Sequence, residues 1–262
     1  MSVAPQPGDL TASATLVRRP AQELLHGCVA IQESGGGWVR PQRFSDAQIR
    51  ALGSVSAWHP GLYRAMARAT AGISLELETD SSELALELQL DPEPAGTRAM
   101  LDHVSKPVAV GVGGKMSVGD TTPSPHDGFG IEVDGRLRMP VMPQLGMRTL
   151  SLCVDDPEKS PAAGVTQLPG LGAAHRVRIW LPCLRGCALR SVVGNGTKIE
   201  ALPMRRQLLV LGDSIAQGFV CGDPGQSWPA LLARDLDLDL VNQGIGGQVF
   251  QPGTLMGLRP EA

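Results

Sequence analysis

Two short stretches near the C-terminal end of the chain carry the residue types from which a nucleophilic site can be built. Gly212-Asp213-Ser214 follows the apolar run LLVL, and Asn242-Gln-Gly-Ile-Gly-Gly247 follows a second apolar run. A serine hydroxyl is a weak nucleophile, so it must be exposed, held rigidly and paired with a base. Backbone N–H groups must lie nearby to stabilise the oxyanion that forms in acyl transfer. The two stretches therefore contain the parts of an acyl-transfer site, in which Ser214 would be the nucleophile and a glycine of the second stretch an N–H donor.

The alternative interpretation of Ser214 is that it only caps a helix. Ser214-Ile-Ala-Gln217 has the spacing of a capping box, and a serine that follows a strand is often no more than a cap. Taken alone, this tetrapeptide favours the cap. The second stretch brings a glycine N–H to the same sheet edge, where the carboxyl ends of parallel strands meet, so on the residues alone both interpretations stay open.

The residues around both stretches predict one strand–helix–strand unit. Leu208–Leu211 is a short continuous apolar run, which is typical of a strand buried on both faces. In SWPALLARDL, Ser227 is the expected N-cap and Pro229 lies in the first helical turn. A second strand, LDLV, then leads into the glycine-rich stretch. The region 206–262 holds only this one unit, so it is predicted to be the incomplete beginning of a parallel α/β domain.

The upstream residues predict several antiparallel hairpins. Ile73–Leu77 and Leu84–Leu90 alternate apolar and polar residues, which predicts two paired strands closed by a turn at Thr79–Ser82. Asp134-Gly135 and Asn195-Gly196 predict the turns of two further hairpins, because both dipeptides accept the left-handed backbone that such turns need.

Two further patterns complete the predicted architecture. Ser45-Asp-Ala-Gln48 has capping-box spacing before a short helix that Gly53 can end. HRVRIWLP places Val177, Ile179 and Leu181 on one face of a strand. Many short strands without long amphipathic helices favour an antiparallel, jelly-roll-like β-sandwich over 1–203. The whole chain is therefore predicted to be an α+β multidomain protein.

The composition excludes several classes of protein. The net charge of −3 comes from interspersed acids and bases without a basic stripe, so we expect no nucleic-acid partner. The sequence has no apolar segment of membrane-spanning length and no export signal, which predicts no membrane contact and a cytoplasmic location. Five cysteines are an odd number, which favours reduced thiols, and Cys183 and Cys187 lack the further ligands that a metal site needs.

The two polar stretches resemble conserved blocks of a known enzyme family. VLGDSIAQG resembles block I of the SGNH (GDSL-type) hydrolases, and VNQGIGG resembles their block II at the spacing found in that family. The resemblance implies that Ser214 is the nucleophile and first oxyanion donor, and that Gly247 is the second donor. It also implies that Gly212, Asp213 and Asn242 are structural members of the motifs and that Asp213 is not the triad acid. No metal and no organic cofactor is implied.

The same resemblance extends upstream and to the substrate. The strands before residue 203 are similar to the β-sandwich that precedes the catalytic domain in a subgroup of SGNH enzymes. Gly128–Glu132 reads Gly-Phe-Gly-Ile-Glu, however, where these enzymes have Gly-Phe-Asp-Leu-Tyr. Members with this sandwich act on short-chain acyl esters, often acetyl esters of carbohydrates, so the implied substrate is a small ester or an acylated carbohydrate. The fold implied for 206–262 is the beginning of a flavodoxin-like hydrolase domain.

Two further blocks of the family do not occur in the chain. Block III, Gly-x-Asn-Asp, would supply a third oxyanion donor, and block V, Asp-x-x-His, would supply the triad acid and base. All five histidines precede Ser214, and His126 beside Asp127 is the least unsuited of them as a replacement base. A serine without its base keeps little activity. We therefore expect the N-terminal part of a serine esterase that is inactive as an isolated chain.

A second hypothesis belongs to a different class. The chain could be a non-catalytic carbohydrate-binding or interaction module with a vestigial hydrolase tail, which the completeness of the predicted sandwich favours. A single strand–helix–strand unit would expose a parallel edge and an apolar face. Either a second copy of the chain, in a homo-oligomer, or a missing C-terminal segment would have to cover that unit.

Overall fold

The computed structural model describes residues 16–54, 60–92, 127–144, 146–155 and 174–247. In these ranges the chain has a mixed α/β structure in which most strand pairing is antiparallel and helices are few. None of the helices in these ranges is long and apolar enough to cross a membrane.

Fourteen strands and four α-helices are present in the described ranges. The strands are β1 (Val17–Pro20), β2 (Leu25–His26), β3 (Ala30–Ser34), β4 (Trp38–Gln42), β5 (Ser74–Thr79), β6 (Glu83–Leu90), β7 (Gly130–Val133), β8 (Arg136–Leu137), β9 (Thr149–Cys153), β10 (His175–Trp180), β11 (Cys187–Gly194), β12 (Ile199–Ala201), β13 (Gln207–Gly212) and β14 (Asp239–Gly244). The helices are α1 (Asp46–Ser54), α2 (Pro60–Ala67), α3 (Ser214–Gln217) and α4 (Trp228–Asp235). Short 3₁₀ helices lie at Ala21–Leu24, Gly35–Gly37 and Pro224–Gln226.

The first twelve strands form two antiparallel sheets that share one hydrophobic core. Sheet A has the order β3-β4-β11-β6-β9 with β1 beside β11, and sheet B has the order β12-β5-β10-β7-β8 with β2 beside β5. Alternate residues of each strand point into the core. Leu84, Leu86 and Leu88 of β6 are buried in the same cluster as Leu75 and Leu77 of β5. Removal of these aliphatic side chains from water stabilises the contact between the two sheets.

The predicted strands exist, but two of the three predicted hairpins are wrong. β5 pairs within sheet B and β6 within sheet A, so the turn at Thr79–Ser82 carries the chain between sheets. The same is true of Asn195-Gly196, between β11 and β12. The two turns bond to each other, since Asp80 Oδ1 accepts from the N–H groups of Thr197 (2.9 Å) and Lys198 (3.0 Å). An alternating pattern fixes which face of a strand is buried, but it does not fix which strand lies beside it.

The third hairpin and the face of β10 are confirmed. Asp134 and Gly135 have φ values of 50° and 76° and form the two-residue turn between β7 and β8. Val177, Ile179 and Leu181 are all buried in the shared core. Both features depend only on neighbouring residues, which is why the sequence is sufficient to predict them.

The predicted capping box at the start of α1 is also confirmed. Ser45 N–H donates to Gln48 Oε1 (2.8 Å), and Ser45 Oγ accepts from Gln48 N–H (3.3 Å). The helix ends at Ser54, one residue beyond the predicted Gly53. The following helix, α2, is not predicted from the sequence, although the burial of Tyr63 and Met66 on one side of it follows helical spacing.

β13 and β14 form a separate parallel pair, as predicted. Their register pairs Gly212 with Gly244, and α4 lies between them in sequence. Ser227 is the N-cap of α4, and Pro229 lies in its first turn. The Ser227 hydroxyl donates to Pro224 O (2.9 Å) instead of capping the helix through its side chain.

β13 is buried on one face only, which corrects the prediction of burial on both. Val210 packs in a cluster with Ala216 of α3 and Ala230 of α4. Leu209 and Leu211 are 44% and 38% exposed. A parallel strand is buried on both faces only when other elements cover both sides. Within the described part of the chain, α3 and α4 cover one side.

A buried ion network joins the amino end of β14 to sheet B. Asp239 Oδ1, on the first residue of β14, lies 2.9 Å from His26 Nδ1 and 2.7 Å from Arg205 Nη2. Arg205 Nη2 also donates to both carboxylate oxygens of Glu76 (2.7 Å each), and Glu76 Oε1 lies 2.8 Å from Arg178 Nε. Acidic and basic side chains alternate through the network, so each buried carboxylate faces a basic group.

These contacts set the pKa values of both carboxyl groups. Burial raises the pKa of Asp239, but hydrogen bonds and charges from His26 and Arg205 outweigh it, and the pKa lies below 3.8. Burial likewise raises the pKa of Glu76, and Arg178, His26 and Arg205 together lower it below 4.5. The folded chain therefore binds fewer protons than the unfolded chain as these groups titrate. This stabilisation is present above about pH 4.5 and is lost as the pH falls through the folded-state pKa values.

Replacement of Asp239 with Asn should destabilise the chain, because Arg205 and His26 would lose a buried carboxylate. We expect the free energy of unfolding near neutral pH to fall by about 3 kcal/mol. We also expect a weaker loss of stability between about pH 5 and pH 3 than in the wild-type chain. Urea unfolding across this pH range measures both effects.

Asp237→Asn is the matched control for this variant. Its carboxylate lies 3.7 Å from Arg205 Nε, but the side chain is 90% exposed. Loss of such a pair should change the free energy of unfolding by less than about 1 kcal/mol. Equal losses of stability in the two variants would contradict a role for the buried network.

Candidate functional site

The parallel pairing of β13 and β14 brings both polar stretches of the sequence to one sheet edge. Gly212 pairs with Gly244, and directly beyond this pair Ile245 N–H donates to Gly212 O (3.0 Å). Ser214 therefore begins α3 beside the segment Ile245–Gly247, named here the glycine loop. In open α/β sheets, ligand sites lie at this carboxyl edge.

The residue that caps α3 is Asp213, not Ser214. Asp213 has an extended backbone, and its Oδ1 accepts a hydrogen bond from Ile215 N–H (2.9 Å). Ser214 is the first helical residue, and the Gln217 side chain bonds to groups other than Ser214. The capping-box interpretation of Ser214–Gln217 is therefore wrong, because a carboxylate one residue earlier already fills the cap position.

Two glycines allow α3 to lie directly on the strands. A Cβ on Gly212 would stand 2.5 Å from the Cβ of Ala216. A Cβ on Gly244 would stand 2.5 Å from the backbone nitrogen of Gln217 and 2.8 Å from the carbonyl carbon of Ala216. Backbone atoms cannot move aside without displacing the helix. The absence of side chains at Gly212 and Gly244 thus sets how closely α3 approaches β14.

Asn242 ties α3 to the end of β14. Its Nδ2 donates to Ala216 O (2.7 Å), and its Oδ1 accepts from Gly244 N–H (2.9 Å). The residue is buried, where an unpaired amide would be costly. These bonds engage both ends of the side-chain amide in holding the backbone.

Two of the three N–H groups of the glycine loop, those of Ile245 and Gly246, are hydrogen-bonded to described residues, and that of Gly247 is not. Gly246 N–H donates to Gln217 Oε1 (2.7 Å). Gly247 has a φ of 78°, in the left-handed region that glycine tolerates, and its carbonyl accepts from the Tyr63 hydroxyl (2.7 Å). In the described ranges, no group accepts a hydrogen bond from Gly247 N–H.

The hydroxyl and the N–H group of Ser214 likewise form no hydrogen bond with the described residues. The residue is partly exposed, and no described group makes a hydrogen bond with its Oγ. Its N–H lies in the first turn of α3, where no carbonyl of the helix can accept it. The hydroxyl of Ser214 and the N–H groups of Ser214 and Gly247 are therefore all available at the same sheet edge. A nucleophilic hydroxyl with oxyanion donors requires such a set.

Neither histidine of the described ranges contacts Ser214. His26 bonds Asp239 at the opposite end of β14, about 20 Å along the strand from the glycine loop. His175 Nδ1 lies 2.7 Å from Asp134 Oδ2 at the turn between β7 and β8. The remaining histidines, including the predicted replacement base, lie outside the described residues: His59, His103 and His126.

One group of metal-ligating side chains occurs among the described residues, formed by His26, Glu76 and Asp239. Both carboxylates already accept hydrogen bonds from Arg205, so a guanidinium stands where a cation would bind. The positive charge of Arg205 and Arg178 compensates the acids of this group. The geometry is that of an ion network.

Cys183 and Cys187 are both buried but lie in different apolar clusters. Burial raises the pKa of Cys187 to about 12. A hydrogen bond with Cys221 raises the pKa of Cys183, and burial adds to the effect. Both thiols are therefore protonated near neutral pH, whereas a metal ligand or nucleophile must be a thiolate.

Three residues that shape the candidate site are missed by the sequence analysis: Arg43, Tyr63 and Gln217. Arg43 and Tyr63 contact β14 and the glycine loop from almost 200 positions away in the sequence. No spacing rule connects residues so far apart. Gln217 stands inside the GDSIAQG stretch, but its spacing from Ser214 suggests a helix cap and not a bond to Gly246.

No family model matches the sequence, and no curated protein matches it. Among solved structures, salicylyl-acyltransferase SsfX3 from a tetracycline biosynthetic pathway matches with a TM-score of 0.53 and 24% identity, over 84% of this chain and 50% of that one. A GDSL-like lipase from Bacteroides ovatus matches with a TM-score of 0.49 and 18% identity, over 89% and 58% of the two chains. The fold is of the SGNH hydrolase type.

A family two carbohydrate esterase from Cellvibrio japonicus is a further match among the solved structures. It matches with a TM-score of 0.48 and 13% identity, over 90% of this chain and 54% of that one. The chain therefore spans about half the length of the solved structures it matches. At the level of the fold, the resemblance expected from VLGDSIAQG and VNQGIGG is confirmed.

Gly244→Ala should destabilise the chain, because the new Cβ would press on the backbone of α3. We expect the free energy of unfolding, measured in urea, to fall by about 2 kcal/mol. Gly35→Ala is the matched control, since a Cβ there meets nothing within 4 Å, and its effect should stay within about 1 kcal/mol. If the two variants are equally stable, Gly244 does not limit the distance between α3 and β14.

Proposed function

We propose that this chain is the N-terminal part of a serine ester hydrolase with the SGNH-type fold. The observation that carries the proposal is the set of available groups at the carboxyl edge of β13 and β14, namely Ser214 Oγ and the N–H groups of Ser214 and Gly247. In this proposal Ser214 is the nucleophile and first oxyanion donor, and Gly247 is the second donor. Gly212, Asp213 and Asn242 hold the geometry through the contacts described above.

The proposed reaction is acyl transfer through the serine. Ser214 Oγ attacks the carbonyl carbon of the ester while a histidine takes the hydroxyl proton. The carbonyl oxygen becomes an oxyanion that accepts hydrogen bonds from the N–H groups of Ser214 and Gly247. Collapse of the intermediate releases the alcohol, which receives the proton, and leaves an acyl-serine. Water activated by the same histidine then releases the acid and restores Ser214.

The histidine and its acid partner come, in this proposal, from residues outside the described ranges. Within those ranges, the histidine that contacts β14 is His26, which bonds Asp239 at the amino end of the strand. Ser214 lies at the carboxyl end, so His26 cannot take its proton without a rearrangement of the sheet. A base contributed by a continuation of the chain satisfies both the geometry and the chemistry.

The domain organisation and substrate belong to the same proposal. Residues 1–203 are proposed to form a jelly-roll-like β-sandwich and 206–262 the beginning of the hydrolase domain. The shared core of sheets A and B and the change to parallel pairing at β13 support this division. The substrate implied by the sequence resemblance is a short-chain ester, including acetyl esters of carbohydrates, and a cytoplasmic location stays a prediction.

Exposed apolar residues support the proposal that further protein covers the parallel pair. Leu209 and Leu211 of β13 are partly exposed, and Ile215 beside Ser214 is 61% exposed. Among the described strands, β13 pairs only with β14, so its other edge has backbone groups able to extend the sheet. A continuation of the chain that adds a strand beside β13 would bury this surface, and a second copy of the chain is the alternative.

Ester hydrolysis tests both the nucleophile and the need for a separate base. We expect the 262-residue chain to hydrolyse p-nitrophenyl acetate at close to the background rate, because a serine without its base is a poor catalyst. In a longer native gene product, Ser214→Ala should lower kcat/KM by about 10³-fold or more. Ser151→Ala, at an exposed serine of β9, is the matched control and should leave kcat/KM unchanged.

The intact mass of the native gene product decides which assay applies. Activity of a longer product that survives Ser214→Ala would refute the nucleophile. Strong Ser214-dependent turnover by the 262-residue chain would refute the need for a base from elsewhere. An inactive native product of only 262 residues would favour the carbohydrate-binding alternative.

A further inference from the structure

Arg43 is a buried cation whose hydrogen-bond acceptors among the described residues are all backbone carbonyls, and its guanidinium carbon also lies 5.1 Å from the centre of the Phe44 ring. It lies between β4 and α1, and no part of its side chain is exposed. Its guanidinium donates to Ala69 O (2.7 Å), Met66 O (2.7 Å), Asn242 O (2.8 Å) and Gly244 O (2.9 Å). Burial lowers the pKa of Arg43 to about 9, so the group is still charged near neutral pH. Because burial of a charge is costly, these four bonds must compensate for lost hydration.

Two of these carbonyls lie on the free edge of β14. In a parallel strand, alternate residues direct their backbone groups to opposite sides. Ile245 N–H bonds Gly212 of β13, so Asn242 and Gly244 direct their carbonyls away from β13. No described strand pairs with this edge. Arg43 therefore takes the place of a neighbouring strand directly before the glycine loop.

Helices α1 and α2 hold the same segment through side chains. The hydroxyl of the buried Tyr63, on α2, donates to Gly247 O (2.7 Å). Gln48 Nε2, on α1, lies 3.1 Å from Gln243 Oε1. Arg43 also bonds Met66 O of α2, so one guanidinium connects α2 to β14. Arg43, Gln48 and Tyr63 are named here the brace.

The glycine loop needs hydrogen bonds from neighbouring side chains to fix its backbone, because two of its three residues are glycines. The peptide that contains the Gly247 N–H group lies between two anchored peptides. On one side, Gly246 N–H is held by Gln217, and on the other, Gly247 O is held by Tyr63. Glycines have wide conformational freedom, so without both anchors this peptide could rotate. An oxyanion donor is effective only when its direction is fixed before the reaction.

We propose that Arg43 and Tyr63 are positioning residues that orient the Gly247 peptide for oxyanion binding. The inference rests on the proposed function, because it assigns a purpose to two residues around the same site. Arg43 fixes the strand that leads into the glycine loop, and Tyr63 fixes the far side of the donor peptide. Both residues precede β5, so the part of the chain before the two-strand unit completes the site geometrically.

Tyr63→Phe tests this proposal with the loss of a single hydroxyl. In the native gene product, kcat for p-nitrophenyl acetate should fall roughly 10-fold or more, while KM changes by less than about 2-fold. A misdirected N–H donor weakens the binding of the transition state but not the binding of the ester substrate. Thr70→Val is the matched control, since it removes a buried hydroxyl that donates to Pro182 O (2.9 Å) and not to the glycine loop. This control should keep the wild-type kcat, and thermal unfolding shows whether both variants are folded.

Amide hydrogen exchange of the 262-residue chain provides a readout that does not require activity. Exchange over 242–247 should become roughly 10-fold faster in Tyr63→Phe and in Arg43→Lys, while exchange over β10 stays unchanged. Lysine keeps the positive charge, but a single ammonium group lacks the planar fork that reaches four carbonyls. Arg43→Lys therefore separates the effect of the fork from that of the charge.

The outcomes distinguish the proposal from the function on which it rests. Wild-type kcat in Tyr63→Phe, unchanged exchange over 242–247, or an equal loss of kcat in Thr70→Val would each overturn the positioning role. If the wild-type native product has no Ser214-dependent hydrolysis, the proposed function fails. Faster exchange in the two brace variants would then identify Arg43 and Tyr63 as purely structural, which also overturns the positioning role.

Discussion

The free edge of β14 imposes the constraint on which the candidate site depends. A strand with a parallel neighbour on one side only leaves carbonyl groups on the other side that need donors. At Asn242 and Gly244 these donors come from the guanidinium of Arg43. Arg43 in turn requires carbonyls from the end of α2, so satisfying the strand edge also brings Tyr63 against the glycine loop. One hydrogen-bonding requirement thus organises a helix pair, a strand end and a loop.

The two ends of β14 are fixed by different chemistry. At the amino end, Asp239 lies in a network in which carboxylates face basic groups, and its stability depends on pH through lowered carboxyl pKa values. At the carboxyl end, Arg43 is bonded to neutral carbonyls, with no carboxylate among its described partners.

Local features of the fold are predictable from the sequence, whereas strand pairing is not. Asp134-Gly135 predicts its turn, because the backbone geometry of two residues decides it. The alternating leucines of β5 and β6 predict two half-buried strands but place them wrongly in one hairpin. Facing sheets bury such patterns equally well, so the pattern cannot distinguish a hairpin from a connection between sheets. The prediction of Ser214 as the cap of α3 is wrong for a related reason. Asp213 and Ser214 are both good capping residues, and the sequence does not show which of them takes the cap position.

The sequence alone determined that the stretches containing Ser214 and Gly247 follow neighbouring parallel strands at one sheet edge. An apolar run before each motif and a helix between them require parallel strands, and parallel strands bring their carboxyl ends together. Only the tertiary structure decided what holds these residues: Asp213 as the cap, Gly212 and Gly244 as points of close contact, and the brace of Arg43, Gln48 and Tyr63. The reason is physical. Periodicity and turn chemistry act over a few residues, whereas a buried donor and its acceptor are brought together only when the whole core packs.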